Sequence, residues 1–142
     1  MKGINTLIKM HQRNLDALRR EQSELQTQRE KWLQLSARLH EELQKERRLA
    51  VEKPEMGAYM AGYVKKVQKR QVEITQEVIN IDVQLAKLAD QITESFGELK
   101  KYEITREEDI KRRAHQQLKK EELDMDEIGM QRFSRKSDNG GV

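Results

Sequence analysis

Apolar side chains recur along this chain in alternating steps of four and three, the spacing of a seam along which helices pair. The first tract reads Ile4, Ile8, His11, Leu15, Leu18, Gln22, Leu25, Arg29, Trp32, Ser36, Leu39, Leu43, Glu46 and Ala50, nine of the fourteen apolar. Leu7, Leu33 and Leu35 widen that stripe. The second tract reads Met60, Val64, Val67, Gln71, Ile74, Val78, Ile81, Leu85, Leu88, Ile92, Ser95, Leu99 and Tyr102, eleven of the thirteen apolar. Chance does not hold one register over six heptads. Both tracts are expected to be coiled-coil helices.

The tracts are separated by Lys53-Pro54-Glu55-Met56-Gly57, which holds the chain's one proline. Proline removes a helix hydrogen bond and restricts the residue before it, so helix 1, beginning near residue 3, should stop near Glu52. Pro54 itself suits the first turn of the next helix, where its missing N–H is an orphan anyway. So short a hinge, 53–57, predicts an antiparallel return. The competing arrangement is one continuous helix kinked at Pro54 that pairs its seams with a second copy.

Folding at residue 54 brings Leu15 near Leu88 and Ile92, Leu25 near Val83, and Leu39 near Val67. His11, Gln22, Arg29, Ser36 and Glu46 then serve as register devices, since a polar seam residue penalises slipped pairings. Helix 2 meets no breaker until Gly129 and is expected over about 57–132. At about 1.5 Å per residue it would be roughly 110 Å long against roughly 70 Å for helix 1. The fold expected is therefore all-α: one antiparallel two-helix coiled-coil hairpin over 1–134, with helix 2 overhanging at its C-terminal end. The overhang is expected to shift its spacing through Ile110, Ala114 and Leu118 to Met125 and Ile128, a stutter that unwinds supercoiling. The segment 135–142 holds turn formers without periodicity and reads as a disordered tail.

Composition excludes several classes. With 35% hydrophobic and 37% charged residues, the chain suits rods better than a compact globule. Twenty-eight Lys/Arg against 25 Asp/Glu leave +3, and the basic pairs are broken up by acids, so no nucleic-acid partner is expected. There is no cysteine, hence no disulfide or thiolate chemistry. No apolar run approaches the roughly 20 residues that span a bilayer, and the opening residues lack a signal-peptide pattern. A cytoplasmic protein is expected, peripheral to the inner membrane through partners and without direct membrane insertion.

No enzyme is expected, because a two-helix rod offers no concave site with converging polar groups. His11, His40 and His115 lie far apart in sequence, and His40-Glu41 lacks the second histidine of a zincin, residue 44 being Gln. Asp124, Asp126 and Glu127 have part of an EF-hand's composition without its glycine and distal glutamate. No metal or cofactor is expected.

Three stretches resemble the FliJ family of flagellar export proteins: Tyr59-Met60-Ala61-Gly62-Tyr63-Val64, Phe96-Gly97-Glu98-Leu99-Lys100-Lys101-Tyr102-Glu103, and Glu122-Leu123-Asp124-Met125-Asp126-Glu127-Ile128-Gly129. The resemblance implies a stalk that enters the ring of the export ATPase hexamer and links it to a membrane export-gate protein, with export chaperones as further partners. It puts gate contacts on Tyr63, Val67, Arg70 and Ile74, with Arg70 standing where a small residue is usual. Tyr63 lies outside the seam, where an exposed aromatic either serves a partner or packs the end of the hairpin. Leu118, Leu123, Met125, Ile128 and Met130 have no partner helix in the hairpin and are the candidate ring contacts. The related stalk of a virulence type III secretion system and a structural homodimeric coiled coil are the alternatives.

Overall fold

The computed structural model describes residues 2–140, with side-chain surroundings for residues 3–137. Two long helices account for almost all of it: α1, Lys2–Glu52, and α2, Gly57–Gly140, joined through the 3-10 turn Pro54–Met56. No strand occurs among the described residues.

Proline chemistry sets the hinge. Lys53 takes an extended conformation, φ −129° and ψ 85°, as a residue before proline must. Its N–H still reaches the Ala50 carbonyl at 3.2 Å, which closes the last turn of α1. The Met56 N–H then bonds the Lys53 carbonyl at 3.1 Å, and the Gly57 N–H bonds that of Pro54. Pro54 opens the turn that feeds α2, where no N–H is needed.

The chain divides into two compact units. One spans 10–97, and the other joins the described residues before 10 to those from 98 to 140. In the 10–97 unit the core is Leu15, Leu43, Val67, Ile74, Ile81 and Leu88. Two polar ties join its helices. Arg29 donates from Nε to Asp82 Oδ1 at 2.7 Å. Ser36 donates from its hydroxyl to Gln71 Oε1 at 2.6 Å, and Gln71 returns a bond from Nε2 to the Ser36 carbonyl at 2.9 Å. Partner numbers thus fall from 82 to 71 as the α1 numbers rise from 29 to 36. Ser95 is buried in the same unit with its hydroxyl lacking a hydrogen-bond partner, a local weak point in the seam.

Every residue named in the two heptad tracts is buried or half-buried. Leu7 and Leu33, expected to widen the stripe, are exposed; Leu35 is half-buried. Val83, expected near Leu25, is 51% exposed. The inward positions around it are Ile81 and Leu85, which hold the four-three register that Val83 breaks.

In the other unit, Ile8 and Leu99 are buried, and Arg106 donates to Asn5 Oδ1 at 3.2 Å. The expected shift of spacing does not occur at Ile110, which is 59% exposed. The four-three register instead continues through Tyr102 and Arg106 to Asp109, which is buried. Arg112 and Arg113 hold that carboxylate at 2.6 and 3.1 Å, so its charge is compensated where it sits.

Helix α2 also outruns expectation. It passes Gly129 and Arg132 and takes up 135–140 of the segment read as a disordered tail, while Gly141 and Val142 lie outside the described residues. Once a helix is nucleated, each further residue adds a hydrogen bond, and no proline interrupts the run.

Candidate interaction surfaces

No helix of the described chain is long and apolar enough to cross a membrane. Among the described residues no three His, Cys, Asp or Glu side chains gather to hold a metal ion. What the molecule offers is surface, and two stretches of it stand out.

The first lies just past the hinge. Ring stacking joins Tyr59 and Tyr63, one helical turn apart, with centroids 6.3 Å apart and planes within 16°. Tyr59 is exposed and Tyr63 half-buried. Partial desolvation, followed by the carboxylates of Glu42 and Glu46, pushes the Tyr63 phenol above its ordinary range.

The four residues carried over as gate contacts do not form one open face. Val67 and Ile74 are buried in the seam, with Ile74 only 1% exposed. A partner reaches them only by prising the helices apart. Arg70 is exposed yet engaged: its guanidinium lies 5.7 Å from the centre of the Trp32 ring and pairs with Glu73 at 3.1 Å. Stacking on an aromatic ring suits a planar cation, which accounts for an arginine where a small residue was looked for. Tyr63 keeps part of its surface open beside Tyr59, which is the more exposed of the two rings. Further from the hinge, an open groove of about 690 Å³ runs past Trp32, Leu35, Arg38, Glu77 and Ile81.

The second surface is the far part of α2. From residue 110 to residue 137 every side chain is exposed. Leu118 is 58% exposed and Met125 70%, and Leu123, Ile128, Met130 and Phe133 are likewise open. At about 100° per residue, Leu118, Met125 and Ile128 share one side of the helix. A shallow groove lined by Leu118, Glu121 and Met125 marks it. Leu123 and Met130, seven residues apart, lie on another side, roughly 140° round from Leu118. The five expected ring contacts thus form two lines. Phe133, absent from that set, adds a ring of fully usable surface; its place three residues past Met130 was the available signal.

Little holds this segment besides its own backbone. Gln117 bonds Glu121 at 3.3 Å and Lys111 pairs with Glu107 at 3.4 Å, both four apart along the helix. Such pairs contribute only about 0.2–0.5 kcal/mol each. Compared with protein-family models, with curated proteins and with solved structures, the chain gives no match.

Proposed function

We propose that the chain is a non-enzymatic coupling subunit, an antiparallel coiled-coil hairpin with a longer second helix. In this reading it is the stalk of a bacterial flagellar type III export apparatus. It links the export ATPase ring to the membrane export gate and so aids assembly of the flagellum.

The observation that carries the reading is the wholly exposed helical run from 110 to 137 with its two apolar lines. A lone helix of this length with few alanines is marginal in water, so its order calls for a surface that receives it. The methionines suit a receiver of changing shape, because thioether side chains adapt to irregular contacts. Antiparallel pairing draws support from the descending partners of Arg29 and Ser36 and from the buried heptad positions. At the hinge end, Tyr63 together with Tyr59 is the group left for the gate, since Val67 and Ile74 are occupied by the seam.

The test is an ATPase assay on the export ATPase hexamer with the full chain and with a chain truncated after Arg113. That cut keeps Asp109 with both of its arginines. The truncated protein is expected to keep its cooperative melt while losing stimulation or assembly of the hexamer. Undiminished stimulation would sink the assignment of the terminal segment to the ring.

A further inference from the structure

The hinge end of the 10–97 unit joins two properties that its seam does not use. Leu49, Val51, Met56 and Tyr59 are all exposed within a short length of chain, Val51 at 83% and Tyr59 at 57%. They are spread over the last turn of α1, the 3-10 turn and the first turn of α2, so apolar surface wraps the bend instead of striping one helix.

Behind this cap the charge is lopsided. Residues 45–69 hold seven Lys/Arg against three Glu, or +4, while the rest of the 10–97 unit holds eight against eleven, or −3. Arg47, Arg48, Lys53, Lys65 and Lys66 are exposed, and none makes an ion pair among the described residues. Lys65 lies eight residues past Gly57, about 12 Å along a helix, roughly one and a half Debye lengths in physiological salt, so a tip seated in the headgroups keeps it within reach of their charge.

We propose that this end docks on a bilayer surface bearing anionic headgroups. Leu49, Val51, Met56 and Tyr59 enter the headgroup boundary, and the lysines and arginines behind them meet lipid phosphates. Apolar tip and basic collar are the two signals that together give stable peripheral binding, where either alone is weak. Tyrosine suits this depth, with an apolar ring and a hydroxyl that stays wet. A convex cap exposed on several sides matches a fluid surface, which needs no complementary groove. Glu46, Glu52 and Glu55 lie in the same stretch and temper the attraction without reversing its sign. The contact is adsorption, since no described helix is fit to span. Tyr59 is also the group that the export reading gives to the gate; the test contains no export component, so the two readings fail separately.

The experiment is flotation of the full chain with vesicles of phosphatidylglycerol mixed with phosphatidylcholine, against vesicles of phosphatidylcholine alone. Binding is expected only to the anionic vesicles and is expected to fall as salt is raised. Lys65→Glu with Lys66→Glu should lower partitioning by about tenfold or more. Val51→Ser with Tyr59→Ser should lower it as well, and far-UV circular dichroism should show helicity unchanged in both variants. Equal binding to neutral vesicles, or binding indifferent to either pair of substitutions, overturns the proposal. So does absence from all vesicles combined with capture on a polyglutamate matrix, which would assign the surface to an acidic polypeptide.

Discussion

Ile74 is the position at which the seam can be tested most sharply, because its neighbour two residues back supplies the control. Ile74 is 1% exposed and Val72 is 70% exposed, though both are β-branched residues in the same stretch of α2. Ile74→Ala removes three carbons, worth about 0.8 kcal/mol each in lost burial. The void left behind adds less than in a globular core, because a two-helix seam is flanked by solvent. Alanine's better helix propensity returns a few tenths of a kcal/mol. The net expected loss is about 2 kcal/mol, at the low end of the range for buried Ile→Ala changes. For a unit of this size that lowers the melting temperature by about 10 °C. Val72→Ala removes carbons already in water and gains the same propensity, so its melting temperature should hold or rise slightly. Thermal unfolding followed by far-UV circular dichroism reads both. Equal losses at the two positions would refute the seam, and so would a larger loss at Val72.

Two further outcomes are expected. Arg29→Ala should cost little, because the Arg29 and Asp82 side chains are 39% and 48% exposed, and the loss should vanish at high salt, as comparison of melting curves at two ionic strengths will show. Gly97→Ala should stabilise α2 by about 0.5–1 kcal/mol, since alanine favours helix and the added Cβ meets nothing within 4 Å; a lowered melting temperature would reveal a contact not accounted for.

The seam was legible in the sequence because it depends on period alone. The hinge was legible because proline acts on its immediate neighbours, through steric rules that need no tertiary context. The stop of the seam was not legible. A hydropathy rule turns Ile110 inward and Asp109 outward, and the structure does the reverse. The deciding residues are Arg112 and Arg113, one turn on, which compensate the carboxylate and let the register run past Tyr102 unchanged. The tail misled for a different reason. Ser, Asp, Asn and Gly favour turns as isolated residues, but a helix already nucleated propagates through them at modest cost per residue. The carried-over contact set contained its own conflict. Val67 and Ile74 are seven apart, which is seam spacing, and both are buried, so a partner would have to compete with the seam for them.

What ends the pairing of helices near residue 109 is therefore distinct from what would end the helix itself. Polar residues take over the seam positions at Arg106 and Asp109, while the backbone ladder of α2 continues to Gly140. A segment in this condition keeps its helical shape but buries nothing of its own. Its apolar residues are then free to be arranged for an outside surface, and their arrangement is informative. A helix lying on one flat partner needs a single line of apolar contacts. This one has Leu118, Met125 and Ile128 on one side and Leu123 with Met130 on another, with Phe133 and charged residues such as Lys119, Lys120, Glu122 and Asp126 between them. Two lines separated by roughly 140° suit a helix approached from more than one direction. A ring that closes around a stalk presents that geometry, whereas a single partner helix would leave the second line in water.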